Sequence, residues 1–261
     1  MSKALCAGLI ILAGTVAASA QTAVAPEVVK DFAPTGKLRA AINLSNSVLA
    51  QKDAAGGPPK GITVDLAREL GKRIGVPVEL VTFDAAGKVF EAAKAGAWDI
   101  AFIAIEPVRA GEIDFTAPYV IIEGVYMVPV GSPLKAVADV DREGVRIGVN
   151  KGSAYDLFLT RTLKQAKLVR AASGIGVFIA EKLEAAAGVK QPMVAYAKTN
   201  PDVRIMDGRF MEIRQAMGTP KGRPGAARYL RGFVEEMKAS GFVAAALKRS
   251  NQPDAAVAPP A

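Results

Sequence analysis

The stretch Asp99–Tyr119, DIAFIAIEPVRAGEIDFTAPY, sets one arginine just past the end of an apolar strand. Asp99–Ile105 is short and mostly apolar, as a strand buried on both faces of a parallel sheet must be. Pro107 has no N–H to donate, so it ends the ladder, and Arg109 follows two residues on. In an open α/β sheet, ligands sit in the crevice beyond the strand ends. A guanidinium placed there grips a carboxylate through two parallel hydrogen bonds. The same arginine is equally placed to pair with Glu112 or Asp114 on the surface, and this stretch alone leaves both readings open.

Outward from it, strand and helix patterns alternate. Leu38–Ile42 reads as a strand, Val64–Ile74 as a helix, Val76–Phe83 as a strand and Gly87–Ala95 as a helix. Such alternation implies parallel sheet with covering helices. Tyr119–Val130 is a long apolar extended segment, ended by Pro129 and Gly131-Ser132-Pro133, and reads as a first crossing between two lobes. A second series follows: strand Val145–Val149, helix Ala154–Gln165, strand Leu168–Ala171, helix Ile175–Leu183, strand Glu184–Val189 and helix Gln191–Thr199. Strand Val203–Ile205 precedes Phe210–Met217, which would be the return crossing. Ala226–Ser240 is an amphipathic helix closed by Gly241, and Phe242–Arg249 is a final short helix. The expected division is lobe 1 over residues 36–130 and 214–250 and lobe 2 over residues 131–213. Residues 21–35 are expected as a linker and 251–261 as a disordered tail.

Residues 1–20 have the form of a cleavable export signal: Lys3, the apolar run Ala4–Ala17, and the small-residue site Ala18-Ser19-Ala20. Cys6 lies inside the apolar run, so the exported chain would hold no cysteine. The sequence contains no histidine. Together these exclude a Ser-His or Cys-His nucleophile and a zinc site built on His and Cys. No metal and no cofactor are expected. Net charge is +8, or +7 once Lys3 leaves with the signal. Basic and acidic residues are interleaved, so the surface reads as solvated rather than as a nucleic-acid patch.

The aspartate, apolar strand, arginine and D-F-T-x-P-Y series resembles the signature of family 3 bacterial extracellular solute-binding proteins. Further pieces fall in that family's order: Gly36-Lys37-Leu38-Arg39, Gly61-Ile62-Thr63-Val64-Asp65-Leu66, Gly96-Ala97-Trp98-Asp99 and Ile147-Gly148-Val149-Asn150-Lys151-Gly152-Ser153. The resemblance spans about residues 36–250. It implies a two-lobe, type II periplasmic-binding-protein-like α/β fold, each lobe a mainly parallel sheet, joined by two hinge crossings and closing on a ligand.

It also implies site residues. Arg109 falls where the family's arginine holds an α-carboxylate. Ser153, beside Gly152, falls where a small hydroxyl residue opens a second-lobe helix, whose free N–H groups favour an anion; plain N-capping is compatible with that role. Asn43 and Asn46 stand where the family commonly offers a polar residue and a stacking aromatic, although both also suit turns. Ala104 replaces a hydroxyl and Glu106 a threonine. The aspartate that receives an amino acid's ammonium corresponds to Val189, followed by Lys190. Two readings stay open. Glu106 takes over the ammonium, or the ligand has no ammonium and Arg109 with Lys190 clamps an organic acid. Glu106 is equally placed to pair with Arg109, Lys190 to face solvent, and Lys88 is a weaker candidate. Trp98, Asp99 and Glu184 read as structural.

The implied function is a non-enzymatic, monomeric periplasmic receptor. It takes up a small carboxylate-bearing solute, an amino acid or related organic acid, and delivers it to the permease of an ATP-binding cassette importer. Alternatives are a dehydratase-like enzyme on the same scaffold, with Glu106 as general acid, and a ligand-sensing subunit for a membrane receptor.

Overall fold

The computed structural model describes residues 24–252 and 254–261. The export signal read at residues 1–20 lies outside them. Lobe 1 begins with α1 (Pro26–Phe32), β1 (Leu38–Asn43), α2 (Ile62–Ile74), β2 (Val78–Phe83), α3 (Ala86–Lys94), β3 (Ile100–Ala104) and the single turn α4 (Pro107–Ala110). The long β4 (Ile113–Pro129) then carries the chain across. Lobe 2 holds β5 (Arg146–Asn150), α5 (Ala154–Thr162), β6 (Lys167–Ala171), α6 (Gly174–Ala180), β7 (Ala185–Val189), α7 (Lys190–Thr199) and β8 (Val203–Ile205). The return strand β9 (Met211–Pro220), α8 (Pro224–Ala239), α9 (Phe242–Arg249) and the short β10 (Ala256–Val257) complete the order.

The strands form one continuous sheet in the order β2-β1-β3-β9-β4-β7-β5-β6. β1 pairs parallel with β2 and β3, and β5 parallel with β6 and β7, so each lobe is a parallel unit as the alternation requires. Between them β4 and β9 run antiparallel from Ile113 to Gly124, with register shifts around Pro118. These are the two crossings. β3 is buried along its whole length, which its unbroken apolar run demands.

Each lobe ties its first strand to the start of its last with the same clamp. Arg39 donates to the Asp99 carboxylate from its backbone N–H, Nε and Nη2 at 2.9–3.0 Å. Arg146 makes the same three contacts to Glu184 at 2.8–2.9 Å. Asp99 also accepts from Arg223, and Trp98 Nε1 donates to the Val89 carbonyl at 2.8 Å, which confirms the structural roles read for these residues. Burial pushes the Asp99 carboxyl up, but the bonds from Arg39 and Arg223 outweigh it and hold the group below the usual carboxylate value. A carboxyl depressed on folding stabilises above its unfolded value, and that stability is lost as pH falls through the folded one. Asp99→Asn is therefore expected to cost about 1–3 kcal/mol at neutral pH. The gap from wild type should shrink below about pH 4, as read by denaturant melts across pH.

Two terminal expectations need correction. The described part of the expected linker, residues 24–35, is not loose: Pro26 starts α1, Phe32 is buried against Tyr229 edge-on at 5.7 Å, and the Asp31 carboxylate accepts from Gly225 N and Ala226 N. Arg223, at the cap position of α8, supplies no side-chain cap there, so Asp31 satisfies the orphan N–H groups from across the fold. Nor are the described residues of the tail, 251–252 and 254–261, disordered. Ala256–Val257 pair antiparallel with Val120–Ile121, Ala258 N donates to the Tyr119 carbonyl, and Ala255 and Ala258 are buried. The tail fills an edge of β4 that β7 and β8, pairing further along, leave open.

Candidate functional site

β3 ends at Ala104, and α4 turns the chain so that Arg109 points back beneath the strand end. Its side chain is 1% exposed, and the surface pairing with Glu112 or Asp114 does not occur. Nη1 donates to the Ala104 carbonyl in lobe 1 and Nη2 to the Gly152 carbonyl in lobe 2, both at 2.9 Å. Nε is buried without a partner. Burial lowers the guanidinium to about 10 from 12.5, partly offset by the nearby Glu106 charge. It therefore remains a cation at neutral pH.

Arg109 forms part of the wall of a small cavity between the lobes, with about 50 Å³ open to water-sized centres. That is room for roughly three to five waters at ~10–15 Å³ each. Asn43, Asn46, Ala104 and Ser153 line it as expected. Gly152 is not in this wall: its carbonyl accepts from Arg109 Nη2, and the residue lines the outer part of the cleft. Ser153 also caps α5, its Oγ accepting from Asp156 N at 3.1 Å, so capping and a place in the wall coexist. Val189, at the position where an aspartate would meet an ammonium, is in the wall too.

Several wall residues escaped the sequence reading: Ser45, Asn150, Tyr155 and Gln215. Asn150 ends β5 as Asn43 ends β1, so the two-lobe repeat was the available signal. Gln215 is a buried amide on β9, between Arg214 and Ala216. Tyr155 brings an aromatic from lobe 2, whereas the expectation looked for one only on lobe 1.

Three further expected residues lie elsewhere. Glu106 neither lines the cavity nor bonds Arg109; it is buried and forms an ion pair with Arg161 of α5 at 2.7 Å, off hydrogen-bond alignment. Lys190 is half exposed, bonds Glu123 at 2.7 Å and lines a separate groove behind the crossings. It sits at the first position of α7. Lys88 pairs with Asp84 on the outer lip of the cleft. Exposed pairs of this kind contribute ~0–1 kcal/mol, so Lys190→Ala is expected to leave solute affinity within about twofold. A tenfold loss by calorimetry would return Lys190 to the site.

The lobes touch across the cleft. A Cβ built on Gly152 would lie 2.9 Å from Gly87 Cα, and Gly152 itself has φ +71°. With the Arg109–Gly152 bond and the Glu106–Arg161 pair, the arrangement is that of a shut cleft.

Comparison with known proteins agrees with this geometry. No curated protein sequence matches the chain. Among solved structures it is similar to a solute receptor for L-cysteine of Neisseria gonorrhoeae (24% identity, 86% of this chain and 94% of that one, TM-score 0.75). It is also similar to the amino acid transporter substrate-binding protein AbpA of Streptococcus pneumoniae bound to L-arginine (20% identity, 86% and 98%, TM-score 0.73). A third is the ancestral amino acid-binding protein AncCDT-1, a precursor of cyclohexadienyl dehydratase (22% identity, 85% and 98%, TM-score 0.70). At such identities the likeness shows the fold. A family model matches residues 38–251, nearly the whole described chain, and the protein belongs to the bacterial extracellular solute-binding proteins, family 3.

Proposed function

We propose that this protein is a periplasmic receptor that captures a small carboxylate-bearing solute between its lobes and delivers it to the permease of an ATP-binding cassette importer. The observation that carries this is the buried Arg109, which lines the cavity, is bonded to a carbonyl from each lobe and keeps an unpaired Nε. A buried cation without an anion is costly, and a solute carboxylate supplies the missing charge. Contacts from both lobes form only when the cleft is shut, so binding draws an open–closed equilibrium toward the closed form. The protein acts as a monomer, exported by the signal read at residues 1–20.

The role is binding rather than catalysis. Among the described residues no carboxylate lines the cavity, and Tyr155, pushed up to about 12 by burial, is a poor proton carrier at neutral pH. The test is a thermal-shift screen of amino acids and small organic acids, followed by small-angle scattering. A hit should raise Tm and contract the particle. A stabilising solute that leaves the radius of gyration unchanged would refute hinge closure.

A further inference from the structure

We infer that the solute is a small mono-anionic carboxylate carrying an oxygen on the adjacent carbon, a 2-hydroxy or 2-oxo acid, and not a zwitterionic amino acid. This deepens the proposed function and rests on it. The first observation is charge. The described residues lining the cavity include one cation, Arg109, and no anion. Glu106, the nearest candidate for an ammonium, is turned onto Arg161 of the opposite lobe. The other candidate position is Val189. An ammonium here would be buried near a guanidinium with no opposing charge, the arrangement that costs most in a dry site. A second carboxylate fares no better, because Lys190 lies outside and Arg161 is already engaged.

The second observation is the polarity of the neutral groups. Asn43 Oδ1 accepts from Ser45 N at 3.1 Å, Asn46 Oδ1 from Val48 N at 3.3 Å, and Asn150 Oδ1 from Gly174 N at 2.7 Å. Each amide oxygen is thus occupied by a backbone donor, and among the described residues each Nδ2 has no protein partner. Ser153 Oγ likewise accepts from Asp156 N, which leaves its O–H to donate. With Arg109 Nε unpaired, the wall holds a surplus of donors contributed by both lobes. A solute rich in acceptor oxygens satisfies them. An ammonium on the adjacent carbon only donates, so the donors that face that position are left unmatched. Gln215, whose side chain has no hydrogen bond to the protein among the described residues, offers an amide oxygen for a ligand hydroxyl. The small cavity volume limits the solute to a short chain.

The experiment is isothermal calorimetry on the purified exported chain at neutral pH with four probe sets. These are glycolate, lactate and pyruvate; acetate and propionate; glycine, alanine, serine and cysteine; and malonate and succinate. Each binder is repeated on Arg109→Met. The expected result is that a member of the first set binds about tenfold or more tighter than its partner lacking the oxygen, than its amino-acid analogue and than the diacids, with binding lost in Arg109→Met. Asn43→Asp keeps the Ser45 contact while adding a carboxylate. It should weaken the hydroxy or oxo acid about tenfold or more and admit an amino acid. An amino acid or a diacid binding best to wild type, and lost in Arg109→Met, overturns the inference but leaves the receptor reading standing. Acetate or propionate binding as tightly as the oxygenated acids overturns the role of the amide donors. Binding that survives Arg109→Met overturns the inference, because the solute is then held without its charge partner, and no binding by any probe removes the receptor reading itself.

Discussion

Arg109→Met is expected to lower affinity for the captured solute by about 2–5 kcal/mol, roughly thirtyfold to several thousandfold, while leaving the fold at least as stable. The two halves of this expectation have one cause. The guanidinium is buried, its Nη groups reach only neutral carbonyls, and burial lowers it to about 10. A cation depressed on folding binds its proton less well in the native state. Its charged form therefore opposes folding at neutral pH, and that penalty is relieved as pH rises through about 10. Methionine keeps the volume of the stem and removes the charge. Calorimetric titration and denaturant melts at pH 7 check both halves. Retained binding in Arg109→Met would mean that the solute is held without its charge partner.

Gly152→Val is expected to raise the dissociation constant by roughly 5- to 150-fold through the closed state alone. A Cβ at Gly152 meets Gly87 Cα at 2.9 Å and Gly87 N at 3.5 Å, backbone atoms of the opposite lobe that have no flexible end to swing aside. Overpacking of this kind costs ~1–3 kcal/mol, and here it falls on the shut cleft. The competent fraction drops by the corresponding factor. Gly208→Val is the control: it has φ +82° and meets only Val137 at 3.8 Å, so it shares the backbone strain but not the cleft contact. The control should keep wild-type affinity, and scattering should show Gly152→Val failing to contract on saturation. If both variants bind as wild type does, the glycine pair is not the closing contact.

Much of this architecture was legible because periodicity survives in the chain. The buried run ending at Pro107, the long apolar crossing and the paired Asp99 and Glu184 positions all follow from backbone hydrogen-bonding rules acting over a few residues. The termini were misread for the converse reason. The Ala- and Pro-rich tail lacks any local drive to form a strand, and its pairing to Val120–Ile121 exists because β4 offers an open edge. Likewise α1 earns its place from α8, whose N–H groups Asp31 caps.

At the site, strand ends were predictable and side-chain allegiance was not. The sequence by itself settled the two parallel units, the two crossings and the arginine beyond β3, since each depends on residue type and local order. Only the tertiary structure decided that Glu106 belongs to Arg161, that Lys190 faces away and that Asn150, Tyr155 and Gln215 join the wall. A charged side chain takes whichever partner and solvent exposure minimise its desolvation, and that partner can lie on an element far along the chain.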